Sequence, residues 1–158
     1  MKMKKEIEKL ENHISALYET YHDIDEITAS IKLSEDSWSI KEIFGHLIDS
    51  AANNYQRFIR LQETSNLTFP GYDYNWIEIV KYNAYPFAQI IELWKQYNLL
   101  LCHIIDNADS ESLNNTWQIE GKSLNLEFLI VDYIEHLEIH VEQLEKRYLE
   151  VMKSVENE

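Results

Sequence analysis

A chain with almost no glycine or proline has few places to turn, and this one has three glycines and two prolines among 158 residues. Those five make about 3% of the chain, against roughly 12% in average usage. Such a chain runs in long, uninterrupted helices. The same scarcity removes classes of function. Gly45, Gly71 and Gly121 lie too far apart for a phosphate-cradling GxxxxGK loop or a GxGxxG dinucleotide turn. At 45% hydrophobic and 12% aromatic residues, the chain has ample material for a folded core. Its length suits a single domain spanning 1–158.

Apolar spacing locates the helices. Ile7, Leu10, Ile14, Leu17, Tyr21, Ile24 and Ile31 recur at intervals of three and four, the stripe of a helix lying on a core. Ser39-Ile40-Lys41-Glu42 fits a capping box and opens a second helix, running through Ile43, Phe44, Leu47, Ile48, Ala51, Tyr55, Phe58 and Ile59 to about Gln62. Residues Thr64 to Tyr74 form the longest turn-rich stretch, with Pro70-Gly71 as its sharpest signal. A short helical piece is expected from Trp76 to Asn83. Pro86 suits the first residue of a third long helix ending near Asn107. Thr116 to Ile119, followed by Glu120-Gly121-Lys122, reads as a small hairpin or an extended link. A last helix is expected from about Ser123 through Tyr148, fraying in the charged tail. The expected fold is all-α: a four-helix bundle with a short helical insertion before its third helix.

Charge and cysteine content narrow the partners. A net charge of −14 argues against nucleic acid, whose phosphates need Lys and Arg. It also argues against an anionic membrane surface. No run approaches the roughly 18 apolar residues of a membrane span, and no apolar signal core follows Met1-Lys2-Met3-Lys4-Lys5. A cytoplasmic domain is expected. The single cysteine, Cys102, excludes an internal disulfide and Cys-based zinc knuckles. It lies in an apolar run and reads as a core thiol. The tryptophans read as core rather than as substrate platforms.

The histidines carry the chemistry. His136 and His140 stand four apart on the last helix, so their rings share one face and can converge on one ion. Six histidines in 158 residues give about 0.2 such pairs by chance, so spacing alone is weak. Both nevertheless fall on the apolar stripe, where each ring needs a partner. A metal satisfies both; hydrogen bonds to acceptors such as Asp49 or Asp132 would do so too. His46, on a polar flank of the second helix beside Gly45, is the natural third ligand or an ordinary flank residue. Gly45 would permit close approach of a neighbour. His13, His22 and His103 lack a partner at ligand spacing and read as surface or packing residues. His136-Leu137-Glu138-Ile139-His140 is not HExxH, because Glu138 lies about 200° around the helix from His136. Nor does a Glu-x-x-His pair of the di-iron type occur here, since Tyr133 and Leu137 hold the preceding positions.

Three segments together resemble the DinB-like/YfiT-like superfamily. They are Trp38-Ser39-Ile40-Lys41-Glu42-Ile43-Phe44-Gly45-His46-Leu47-Ile48-Asp49, the last-helix run Tyr133 to Leu144, and the connection from Tyr72-Asp73-Tyr74-Asn75-Trp76 to Asn83-Ala84-Tyr85. The resemblance implies a four-helix bundle with one divalent metal held by His46, His136 and His140; zinc or nickel is expected, because imidazole suits both. It implies a metal-dependent enzyme, a hydrolase or thiol S-transferase, acting on a small molecule or with a low-molecular-weight thiol, and a homodimer. Three neutral ligands would leave one coordination position open. Asp49 and Asp132, each within one turn of a histidine, are candidates to orient an imidazole or are solvated carboxylates. The alternative function is a non-catalytic helical binding module with a structural metal or none.

Overall fold

The computed structural model describes residues 3–156. Its four long helices are α1 (Lys4–Tyr21), α3 (Ile40–Glu63), α5 (Phe87–Asp106) and α6 (Leu126–Glu156). Two short ones join them, α2 (Glu26–Ser30) and α4 (Trp76–Val80), with three short strands, β1 (Asn66–Thr68), β2 (Thr116–Ile119) and β3 (Lys122–Asn125). Helix α3 packs against α5 and α6, and α1 packs against the same two from the other side. Leu10, Ile43, Phe44, Ile90, Trp94, Leu101 and Leu144 are fully buried between them. Among the described residues, no helix is long and apolar enough to cross a membrane.

The boundaries differ from the sequence expectation where a side chain intervenes. The first stripe breaks after Tyr21, because the Asp25 carboxylate accepts from the amides of Ile27 and Thr28, both at 3.0 Å, and starts α2. Ile24 and Ile31 therefore lie off α1. Ser123 belongs to a strand rather than to α6, whose first turn is capped by Asn125 Oδ1 accepting from Phe128 N at 2.8 Å. Pro86 sits one residue before α5, with its carbonyl accepting from Ile90 N at 3.1 Å. Instead of fraying, α6 continues through the buried Val151 to Glu156; the remaining tail lies outside the described residues. The expected short helical piece is α4 followed by a 3-10 turn over Tyr82–Ala84, split at Lys81, whose φ is 58°.

The strands form one small sheet. β2 and β3 make the antiparallel hairpin, turning through Glu120 and Gly121 with φ of 49° and 77°. Two successive positive φ values match the twist of a tight hairpin. β1 adds in parallel along β2. This sheet ties the turn-rich 64–74 stretch to the bundle, and Trp117 Nε1 donates to Phe69 O at 2.7 Å.

The start of α3 is held by a closed polar network. Ser39 and Glu42 form the capping box, with Glu42 N donating to Ser39 Oγ at 3.2 Å and Ser39 N donating to Glu42 Oε2 at 2.9 Å. Ser39 Oγ then donates to Asn83 Oδ1 at 2.6 Å, and Asn83 Nδ2 donates to Ser30 O at 3.1 Å. The Lys41 ammonium, only 1% exposed, pairs with Glu26 and donates to Asn83 O at 3.1 Å. Glu26 also accepts from Phe87 N at 2.8 Å. Four elements thus meet at one satisfied cluster.

Candidate metal centre

His46 lies in the second turn of α3, fully buried, and His136 and His140 lie one turn apart on α6. Packing of α3 on α6 brings the three rings together. His46 Nε2 is 3.3 Å from His136 Nε2, and His140 Nε2 is 3.1 Å from the same atom. Ring centroids are 4.6 Å apart for His46 and His140. Among the described residues this is the group of His, Cys, Asp or Glu that could hold a metal ion, with one ligand atom from each ring and all three within 4.8 Å.

Hydrogen bonding accounts for only part of this arrangement. An imidazole nitrogen carries either one proton or one in-plane lone pair, so it makes one hydrogen bond. His136 Nε2 has two nitrogens at hydrogen-bond distance. At most one of those contacts is therefore a well-directed hydrogen bond. A shared cation would account for both. Nitrogens each 2.0–2.1 Å from a tetrahedral centre lie about 3.3 Å apart, close to the 3.3 and 3.1 Å by which His46 and His140 approach His136 Nε2. The donor set fits a divalent transition metal.

The protonation states agree. Burial holds His46 down to about 3, reinforced by its two histidine neighbours. Burial, then His140, holds His136 down to about 4. Burial also lowers His140, opposed by its bond to Gln143. The three rings are neutral around pH 7, as ligation requires. Gln143 Oε1, 2.6 Å from His140 Nδ1, accepts its proton and leaves the Nε2 lone pair facing the cluster.

Aromatic rings wall the site. The Trp38, Tyr74 and Tyr72 rings lie 5.1, 5.1 and 5.8 Å from the His46 ring, and Trp76 packs on Tyr72 at 5.5 Å. Trp94 and Trp117 are core, as expected, but Trp38 and Trp76 belong to this wall. Tyr82 fills the notch at Gly45: a Cβ there would collide with its ring, with even the ring's Cε2 at 2.7 Å. The close approach expected at Gly45 is real, and the neighbour is a tyrosine.

Neither aspartate makes a hydrogen bond to a site histidine among the described residues. Asp49 Oδ1 accepts from Tyr82 Oη at 2.6 Å, and burial raises its carboxyl against the lowering effect of that bond. Asp132 is exposed on α6 and sits in the field of Arg57. The orienting acceptor is Gln143, which its position three residues after His140 could have signalled. The other histidines stay apart. His13 faces Glu138 across α1 and α6 at 3.1 Å, His22 Nδ1 lies 2.9 Å from Tyr18 O, and His103 is exposed beside Asn107. Glu138 also binds Lys9 at 2.8 Å. Cys102 is a buried core thiol, pushed up to about 12 by burial and then by Glu11.

Comparison with known proteins gives the same architecture. The chain is 23% identical over 144 residues to the Halalkalibacterium halodurans protein named "Putative metal-dependent hydrolase BH0277", covering 90% of this chain and 82% of that protein. It superposes on YfiT from Bacillus subtilis with a TM-score of 0.75 at 19% identity, over 90% of this chain and 85% of that one. YfiT is described as a probable metal-dependent hydrolase with an unusual four-helix bundle topology. The model of the DinB superfamily matches residues 9–144, from within α1 to the sixth turn of the histidine-bearing α6, and the chain belongs to that superfamily.

Proposed function

We propose that His46, His136 and His140 hold one divalent ion, zinc or nickel, and that the protein is a metal-dependent hydrolase of a small molecule. The observation that carries this reading is the double approach to His136 Nε2, at 3.1 and 3.3 Å, of which at most one is a well-directed hydrogen bond. The names of its relatives support it. When bound, such an ion supplies a Lewis acid that polarises a carbonyl and lowers the pKa of water toward about 7.

The chain's own residues prepare that chemistry. Three imidazoles present lone pairs and no negative charge, so the ion's positive charge is undiminished by its ligands. Gln143 fixes the His140 tautomer. Trp38, Tyr72 and Tyr74 shield the His46 side from bulk water, which strengthens electrostatic interactions within the site. Cys102, buried among α5 residues with its thiol held neutral, is no nucleophile for this reaction.

Elemental analysis of protein purified without an affinity tag should give one zinc or nickel per chain. Cobalt in its place should give a visible spectrum that changes with added acetohydroxamate and titrates around pH 7. Absence of a stoichiometric ion overturns the metal assignment. A spectrum indifferent to both hydroxamate and pH overturns the hydrolase and leaves a structural metal. A response to low-molecular-weight thiols but not to hydroxamate replaces hydrolysis with thiol transfer.

A further inference from the structure

Beyond His46, the same face of α3 carries a row of buried polar groups that the metal reading does not use. Asp49, Asn53 and Arg57 follow His46 at offsets of three, seven and eleven residues. At 100° per residue all four fall within an arc of about 80°. They are 1%, 6%, 5% and 8% exposed, respectively. Each has a buried polar atom with no hydrogen-bond partner: His46 Nδ1, Asp49 Oδ2, Asn53 Nδ2 and Arg57 Nε. Buried polar atoms in folded proteins are overwhelmingly partnered, so four orphans along one helical face mark a surface built to meet something polar.

The row opens toward the histidines. Tyr72 spans it, with its ring against His46 at 5.8 Å, its hydroxyl bonded to the Ser50 side chain, and Arg57 and Asp49 within its electrostatic reach. Asp132, one turn before His136 on α6, also faces Arg57 electrostatically but forms no ion pair with it. In a chain with 28 acidic and 14 basic residues, a buried arginine with no carboxylate partner is a specific arrangement. Its orientation is set by other means. The guanidinium stacks on Trp117 at 4.0 Å, and Nη1 donates to Asn54 Oδ1 at 3.3 Å. Stacking occupies the face of the plane, and Asn54 occupies one corner. The Nε edge remains, and such an edge matches a carboxylate.

We propose that Arg57 and Asn53 form a carboxylate-binding subsite of the same active centre, so that the substrates are small carboxylates. The inference rests on the hydrolase reading for what happens at the other end of the ligand. Reading along the helix gives the ligand's order of groups. A carbonyl faces the three histidines, a hydrogen-bond donor faces Asp49 Oδ2, and a carboxylate meets Asn53 Nδ2 and Arg57 Nε. His46 and Asn53 are separated by about 10 Å of helix rise, and Arg57 reaches back toward Asn54, which suits a molecule the size of an N-acyl amino acid.

Matched N-acetyl amino acids and their carboxamides are the probes, titrated calorimetrically against the metal-loaded protein. The acids should bind about tenfold tighter or better than the amides, the usual scale for a charge-assisted hydrogen-bond pair. Arg57→Gln should erase the preference while retaining the metal, and Asn53→Leu should reduce it. Equal binding of acid and amide to the unaltered protein, or no binding of either in the millimolar range, overturns the subsite whatever the variants do. So does an Arg57→Gln protein that keeps the preference. Acid selectivity in a protein that holds no ion would leave the subsite standing and sink the metal reading instead.

Discussion

Two stretches of α3 bury polar side chains, and they do so in opposite ways. At its start, Ser39, Lys41 and Glu42 form a network in which Glu26, Asn83 and backbone groups satisfy each other. One turn later, His46, Asp49, Asn53 and Arg57 each keep a buried polar atom without a protein partner. The first stretch joins α2, α3, the 3-10 turn and α5, and its polarity is spent on the fold. The second carries the same kinds of groups but faces the three-histidine cluster and the Tyr72 wall. Buried polarity that is closed locks structure; buried polarity left open is a recognition surface.

The largest effect should come from the open stretch. His136→Ala removes the nitrogen that both other rings approach, so metal content by elemental analysis should fall by about 100-fold or more in affinity terms, beyond the 10–100-fold typical of losing an outer partner. The fold should persist by circular dichroism. Retention of a full equivalent of metal in this variant would remove the distinction between the two stretches.

Acid should follow. In metal-free protein, His46 and His136 are held below the ordinary 6.5 of histidine, to about 3 and about 4. Between those values and 6.5 the unfolded chain binds protons that the folded chain refuses, so stability is full above pH 6.5 and is lost as pH falls. A loss on the order of 3 kcal/mol between pH 6.5 and 4 is expected from denaturant titrations. A flat profile would mean the rings are not buried together.

Glu26→Ala tests the closed stretch. It strips the buried Lys41 ammonium of its carboxylate and Phe87 N of its acceptor. Because Glu26 itself is 57% exposed, a cost of about 2 kcal/mol is expected, below the range for fully buried pairs. Metal content should not change. Loss of metal here would join the two stretches into one unit.

What could be read in advance divides along similar lines. The capping box and the His136/His140 pair are local, because a helix brings residues three and four apart together. Gln143 is local as well, and its place three residues after His140 was the signal for it. The break before α2 was encoded in Asp25 but masked by the continuing apolar spacing of Ile24 and Ile31. Contacts across long separations had no such signal. Tyr82 reaches Asp49 across 33 residues and so diverts the carboxylate from His46. Asp132 shares a row with His136 by spacing, yet the packing of α6 leaves it exposed. Trp38, Tyr72 and Tyr74 of the aromatic wall come from loops and Trp76 from the five-residue α4, and β1 is three residues long; none leaves a period to detect.

The smallest effect is the sharpest test of the comparison. Asn53 is 5% exposed, and its Nδ2 has no partner, so its amide is a cost to the folded state rather than a support. Leucine has a similar volume and no polar atom to desolvate. Asn53→Leu should therefore leave stability unchanged or raise it by up to about 1 kcal/mol, as exchanging unsatisfied polar groups for apolar ones commonly does. Thermal and denaturant unfolding of the metal-free variant measure this directly. Most buried polar substitutions weaken a fold, so the expected sign is unusual and specific to an open stretch. A loss of more than about 2 kcal/mol would show that Asn53 is part of the scaffold. The row from His46 to Arg57 would then belong with the Lys41 network, as structure rather than as a surface for a ligand.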